Sequence, residues 1–377
     1  MDNYRPAWIE VNLNAIEKNL ALARKITPKN TKVLAVVKAD AYGHGAVPVA
    51  KKLCNCGVDY LAVASIEEAQ ELRNAKIRSP ILILGVVHPS QLKDALKLNL
   101  TLTLFTKTMI KALSKQAKTQ NKIVPVHIKI DTGMGRLGVW FEDAMDFIIE
   151  AAASRNLKLE GIFTHLSAAD EDREYTLSQL SHFNKLIANL DERGIRILFK
   201  HAANSMGTLG YKQAHFNMIR PGLMLYGLYP DNNTKKQHML FPAMSFKARV
   251  VWLKETPKGR YISYGHTYVT QKNTMLASIP VGYSHGYPRT LSNKAHVLIG
   301  GKRAPVAGRI CMDQTMVDVG LLKTVKLGDE VCLLGEQKND KITAEYLADL
   351  CGTISYEIVC WISRRVPRIY KSASCGR

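Results

Sequence analysis

At 377 residues the chain is long for one compact domain, so its length points to two domains, or to one large barrel carrying an extension. Hydrophobic residues at 46% and charged residues at 22% exclude a long disordered tract. The formal charge of +20 is spread through doublets such as Lys51-Lys52 and Lys235-Lys236 and never gathers into a block, which argues against a nucleic-acid or membrane-binding tail. Seven cysteines without a Cys-x-x-Cys pair, and with Cys54-Asn55-Cys56 at the wrong spacing for zinc, read as reduced thiols with no metal site. The opening MDNYRPAWIEVNL lacks the basic start and apolar stretch of a signal peptide, and no run approaches the ~18 apolar residues needed to cross a bilayer. A cytoplasmic protein that binds neither membrane nor nucleic acid is expected.

In chain order, WIEVNL reads as a strand lying outside the repeats that follow. From residue 32, β-rich apolar runs alternate with helical periodicity, with strands expected at 32–39, 60–65, 80–85, 101–106, 125–131, 160–166, 197–202 and 218–226. Ser65 followed by Glu68 reads as a capping box at one helix start. Eight such units predict an α/β fold with an N-terminal (β/α)8 TIM-type barrel over 10–233, a doubly wound sheet being the alternative. After the turn-rich stretch Tyr229-Pro230-Asp231-Asn232-Asn233, closely spaced strands at 243–254, 274–281, 295–299, 303–312, 315–319 and 328–334 predict a C-terminal mainly-β domain over 234–377. The N-terminal strand, 1–9, is expected to pair with that domain, and the tail 371–377 to fray.

In a barrel of this kind chemistry sits at the C-terminal rim of the strands. Lys38 falls there, ahead of the polar and glycine-dense Ala39-Asp40-Ala41-Tyr42-Gly43-His44-Gly45. The loops after strands seven and eight, a usual phosphate cradle, hold His201-Ala202-Ala203-Asn204-Ser205 and Arg220-Pro221-Gly222-Leu223. A strand-end lysine facing a phosphate cradle is the minimal description of a pyridoxal phosphate site. Gly133-Met134-Gly135-Arg136-Leu137-Gly138 also fits the glycine pattern of dinucleotide sites, but the barrel count and the absence of partner motifs argue against a nicotinamide cofactor.

VVKADAYGHG around Lys38, HIKIDTGMGRLG around Arg136, HAANS, RPGLMLYG, SYGHTY around Tyr264 and GRICMDQTMVD around Met312 together resemble the motifs of bacterial alanine racemases, from Trp8 to about Tyr370. The resemblance implies a homodimeric enzyme dependent on pyridoxal 5'-phosphate. It would interconvert L- and D-alanine by a two-base mechanism, supplying D-alanine for peptidoglycan. Lys38 is implied as the Schiff-base lysine and Tyr264, from the other subunit, as the opposing acid/base. Cofactor contacts are implied for Tyr42, His165, Asn204, Ser205, Arg220 and Tyr356 and for the backbone of Gly222 and Leu223. Arg136 and the Met312 backbone are implied to bind the substrate carboxylate. His165 also falls, with Asp170, Tyr283, Arg289, Arg309 and Ile354, on positions that line the substrate entrance.

Arg220 is implied to face the pyridine nitrogen, which an always-protonated guanidinium cannot protonate, so side reactions such as transamination are restrained. Lys129 alternates with His127 and Asp131 on one strand face, where an unpaired ammonium is costly. A nearby carboxylate is one solution, and the carbamylated lysine of some family members is the other. Because both acid/base groups are poor bases at their ordinary pKa values, Lys38 and Tyr264 are expected to be shifted downward. A broader serine racemase or an amino-acid decarboxylase on the same barrel is the alternative enzyme, and a cofactor carrier the alternative without turnover. Alanine is favoured because Tyr264, Tyr356 and Met312 would crowd a larger side chain.

Overall fold

The computed structural model describes residues 6–230, 237–322 and 324–372. Asp231–Asn233 of the turn-rich stretch, the Lys235-Lys236 doublet, residues 1–5 of the opening strand reading and most of the tail lie outside the described residues. The strands are β1 (Ala7–Asn12), β2 (Lys32–Val36), β3 (Tyr60–Val63), β4 (Ile81–Ile83), β5 (Thr101–Leu104), β6 (Val124–Asp131), β7 (Val139–Trp140), β8 (Leu157–Phe163), β9 (Phe199–His201) and β10 (Met218–Ile219). They continue as β11 (Met244–Arg249), β12 (Trp252–Thr256), β13 (Thr274–Ile279), β14 (His296–Ile299), β15 (Lys302–Pro305), β16 (Thr315–Asp318), β17 (Glu330–Gln337), β18 (Asp340–Ile342) and β19 (Arg368–Lys371).

Eight parallel strands run in the order β10-β2-β3-β4-β5-β6-β8-β9, with helices between them, and form a nearly closed barrel. Most are short and apolar, as strands covered on both faces tend to be, while β6 carries His127, Lys129 and Asp131 and β9 carries Lys200 and His201. The seam between β9 and β10 is held by single contacts: Asn217 Nδ2 donates to the Leu198 carbonyl at 2.7 Å, Asn217 Oδ1 accepts from Lys200 N–H at 2.7 Å, and Arg220 N–H donates to the Ala203 carbonyl at 2.9 Å. The stretch expected as one strand over 218–226 is therefore two residues of strand and then a 3-10 turn over Leu223–Tyr226.

A separate mainly-β sheet runs β15-β14-β17-β11-β1-β19, with β18 on β17, and a three-stranded sheet β12-β13-β16 packs beside it. β1 lies between β11, antiparallel, and β19, parallel. Buried apolar residues continue without a break from the barrel (Val33, Leu61, Ile83) into this sheet (Ile9, Phe246, Val331). The expected strand 243–254 is interrupted at Val250-Val251, where the chain passes from one sheet to the other. The expected strand 303–312 stops at Pro305, and the following residues turn through Gly308 at φ +82° into an exposed loop. The capping box at Ser65 is only half formed. Ser65 Oγ accepts from Glu68 N–H at 3.4 Å, while the Glu68 carboxylate takes the N–H groups of Ala64 and Ala39 at 2.7 and 2.6 Å.

Candidate active site

β2 ends at the barrel rim because the residues after Lys38 leave the extended region. Ala39, Asp40, Ala41 and Tyr42 have φ of 51°, 55°, 53° and 54°, and Gly43 follows at 79°: a left-handed turn built largely from L-residues. Each of them costs roughly 1–2 kcal/mol there, so the turn persists only because its surroundings over-determine it. Glu68 holds its first N–H at Ala39, and Asp40 Oδ1 accepts from Ala46 N–H at 2.7 Å. His44 Nδ1 lies 3.0 and 2.9 Å from the carbonyls of Ala41 and Tyr42, to which it must donate, and burial lowers this imidazole's pKa to about 4. The ring stacks on Tyr226 at 4.6 Å, and Tyr226 in turn donates to the Val36 carbonyl at 2.8 Å. Lys38 opens this turn half-buried, and desolvation together with the Arg136 charge lowers its amine pKa below the ordinary lysine value.

Tyr42, carried by the same turn, packs against the loop after β10. A Cβ added at Gly222 would lie 2.7 Å from Tyr42 Oη, so only glycine admits this approach. Ser205 Oγ gathers the N–H groups of Gly222 and Met224 at 3.1 and 3.2 Å, and Leu223 lies buried between them. Asn204 caps the short helix that Ser205 begins, accepting from Gly207 N–H at 2.8 Å. The Tyr356 ring lies 6.4 Å from that of Tyr42, with its phenol pushed up to about 12 by burial.

Arg220 is buried with no carboxylate partner among the described residues. One terminal nitrogen donates to the carbonyls of Thr164 and Ala202 at 2.7 and 3.0 Å and lies 3.4 Å from His165 Nδ1, and the other donates to His201 Nδ1 at 3.1 Å. Desolvation lowers its pKa to about 9, which leaves it a cation at neutral pH. Because the guanidinium is donor-only, His201 must carry its proton on Nε2 and give it to His127 Nδ1, 2.9 Å away. Burial and Arg220 keep His201 and His127 neutral, His127 at about 3.

On β6, Asp131 turns its carboxylate into the following glycine-rich loop and accepts from Gly133, Met134, Gly135 and Arg136 N–H at 2.9, 2.7, 3.2 and 3.1 Å. The loop that mimics a dinucleotide motif thus wraps an internal anion and presents the exposed Arg136 side chain. With Asp131 spent in this way, Lys129 forms no ion pair among the described residues, so the carboxylate pairing considered for it is not what the fold provides. Its amine lies 5.6 Å from the Phe163 ring centre, and burial with Arg136 and Arg220 lowers it to about 8.

The remaining candidates, Asp170 apart, sit on the β domain. Tyr264 is 68% exposed, flanked by Ser263, Gly265 and His266 at φ of 63°, 68° and 53°. The Arg309 guanidinium packs against Gly265, where an added Cβ would lie 2.7 Å from it. Tyr283 and Ser284 donate their N–H groups to the carbonyls of Cys311 and Met312, both at 3.0 Å, which fixes the Met312 loop against the Tyr283 turn. Met312 and Ile354 are exposed, Arg289 begins a 3-10 turn over Arg289–Leu291, and Asp170 lies exposed at the barrel mouth, close enough to raise the Tyr356 pKa.

Residues 11–230 match the family model for the alanine racemase N-terminal domain, and residues 243–370 match that for the alanine racemase C-terminal domain. The chain belongs to the alanine racemase family. The alanine racemase of Halothermothrix orenii is 45% identical over 373 residues, covering 99% of this chain and 98% of that one. Among solved structures, alanine racemase from Clostridium difficile superposes with a TM-score of 0.95 at 40% identity, covering 99% and 97% of the two chains. The Bacillus anthracis alanine racemase with bound L-Ala-P gives 0.92 at 37%, covering 99% and 97%. Within this alanine racemase fold the sequence shows the groups with evident chemistry; it shows Asp131, His44 and Glu68 only as neighbours or a helix cap, and Arg368 not at all, although these four hold the site in place. The HIKID and YGHG motifs contain two of these, and only the folded chain reveals what their side chains grip.

Proposed function

We propose that this chain is a cytoplasmic, homodimeric alanine racemase in which pyridoxal 5'-phosphate sits over the barrel mouth, bonded to Lys38. The observation that carries the reading is a half-buried lysine of lowered pKa on the same rigid turn as Tyr42, whose hydroxyl meets the Gly222 cradle. The residues fit the group: Ser205 Oγ, Tyr42 Oη, Tyr356 Oη and the backbone of Gly222 and Leu223 are neutral donors of the kind a phosphate needs. Lys38, Lys129, Arg136 and Arg220 surround it with positive charge. His165 and Asn204 support this set from the rim.

When bound, the cofactor supplies an electron-poor ring that spreads the charge left at Cα as the α-proton departs. Lys38 Nζ would take or return that proton on one face and Tyr264 Oη of a second copy on the other, so that configuration inverts. Arg220 would keep the ring nitrogen hydrogen-bonded without protonating it, since a guanidinium holds its proton. Arg136 and the Met312 backbone would orient the substrate carboxylate, with Asp170, Tyr283, Arg289, Arg309 and Ile354 restricting the way in. A Lys129 carbamate would give Arg136 an anionic partner. The exposed Tyr264, Tyr283, Met312 and Ile354 on one chain support a second copy covering them.

Incubation with L-alanine in D₂O tests the reading. Loss of the α-proton signal with D-alanine appearing is expected. Exchange without D-alanine would remove Tyr264 from its role, and neither signal with the cofactor bound would leave a carrier.

A further inference from the structure

Arg368 lies on β19, outside every motif singled out in the sequence, yet its guanidinium reaches across the seam between the two domains. Nε and Nη2 donate to the Gly43 carbonyl at 3.2 and 3.1 Å. Nη1 donates to the carbonyls of Ser363 and Val366 at 2.6 and 2.7 Å, and Nη2 also to that of Ile362 at 2.9 Å. Gly43 closes the left-handed turn that begins beside Lys38, and its carbonyl would otherwise be left at a close-packed seam. A Cβ at Gly43 would meet the Val359 carbonyl at 2.3 Å. Two further contacts press on the same turn from the β domain: Arg364 reaches Asp40 at 3.5 Å, and the Tyr370 hydroxyl fills the space beside Gly45. Arg368 is itself anchored, since it stands in register with Ile9 of β1.

Resting on the reading of Lys38 as the cofactor lysine, we propose that Arg368 is a positioning residue for it. The β domain locks the strained turn through the Gly43 carbonyl, and the seating of the two domains thereby sets the attitude of the Lys38 amine. A planar fork of five N–H donors can meet four carbonyls at once, whereas an ammonium can satisfy only part of that set. The competing role is a staple of the local loop, because three of the bonds return to residues 362–366.

The experiment compares Arg368→Met and Arg368→Lys with Arg303→Met, which breaks the exposed β-domain pair to Asp340 without touching the turn. Cofactor-free protein is titrated with pyridoxal phosphate while the visible absorbance of the lysine imine is followed, and amide exchange is measured over 39–45 and 361–367. Arg368→Met is expected to weaken cofactor binding about tenfold or more, the fold-change one charge-assisted bond carries, and to deprotect 39–45. Arg368→Lys should show a smaller shift in both, and Arg303→Met in neither. If the Met variant fails to fold, the Lys variant decides alone. Wild-type cofactor affinity with faster exchange confined to 361–367 would overturn the proposal in favour of the staple. If wild-type protein forms no imine, the reading of Lys38 falls, and exchange at 39–45 still tests whether Arg368 holds the turn.

Discussion

Lys129 and Arg220 are buried cations without carboxylate partners among the described residues, and the fold treats them differently. Arg220 is satisfied by carbonyls and a neutral histidine and stays charged. Lys129 has an aromatic face and, at about 8, an amine that is partly neutral at physiological pH. Only the neutral amine adds to carbon dioxide, forming an N–C bond and releasing a proton. At fixed dissolved carbon dioxide, carbamate on Lys129 should therefore rise as pH increases through about 8 and vanish in acid, followed as a ¹³C carbonyl signal absent from Lys129→Ala. Arg220→Glu should act in the opposite electrical sense. A carboxyl placed between the Thr164 and Ala202 carbonyls is desolvated, its pKa rises, and it holds a proton it can share with the ring nitrogen. Pyridoxamine phosphate should then accumulate during turnover, and an unchanged level would remove Arg220 from that role.

At the scale of the element, the left-handed turn shows where sequence legibility ended. The barrel strands were readable because a parallel strand covered on both faces is a continuous apolar run, and the rim residues followed from strand order. Nothing in Ala39-Asp40-Ala41-Tyr42 announces φ near +50°, since alanine ordinarily favours right-handed helix and the cause lies in distant partners, Glu68 and Arg368. Likewise Val250-Val251 reads as strand by composition, and only packing makes it the break between two sheets. Ala39 is exposed, so its backbone conformation can be tested without a packing change. Ala39→Val should lower the stability of the cofactor-free protein by about 1–2 kcal/mol, whereas Ala39→Gly should leave it unchanged or slightly raised, both read from denaturant midpoints.

At the scale of the whole molecule, the proposed division of the site between two copies makes a numerical prediction. Lys38→Ala and Tyr264→Phe homodimers should each be nearly inactive. Unfolding and refolding them together gives mixed dimers in which one site carries both changes and the other carries neither. Random mixing should thus restore about a quarter of wild-type activity. No restoration would mean that Tyr264 serves its own chain's barrel.

The placement of β1 has its own consequence. Ile9 is in register with Phe246 on one side and Arg368 on the other. During synthesis β1 leaves the ribosome long before either neighbour exists, and both its edges stay bare while the barrel forms. The sheet is complete only once β19 has been made. A nascent chain stalled before β19 would hold a finished barrel beside an open β edge, the state in which this protein is most exposed to pairing with the wrong partner.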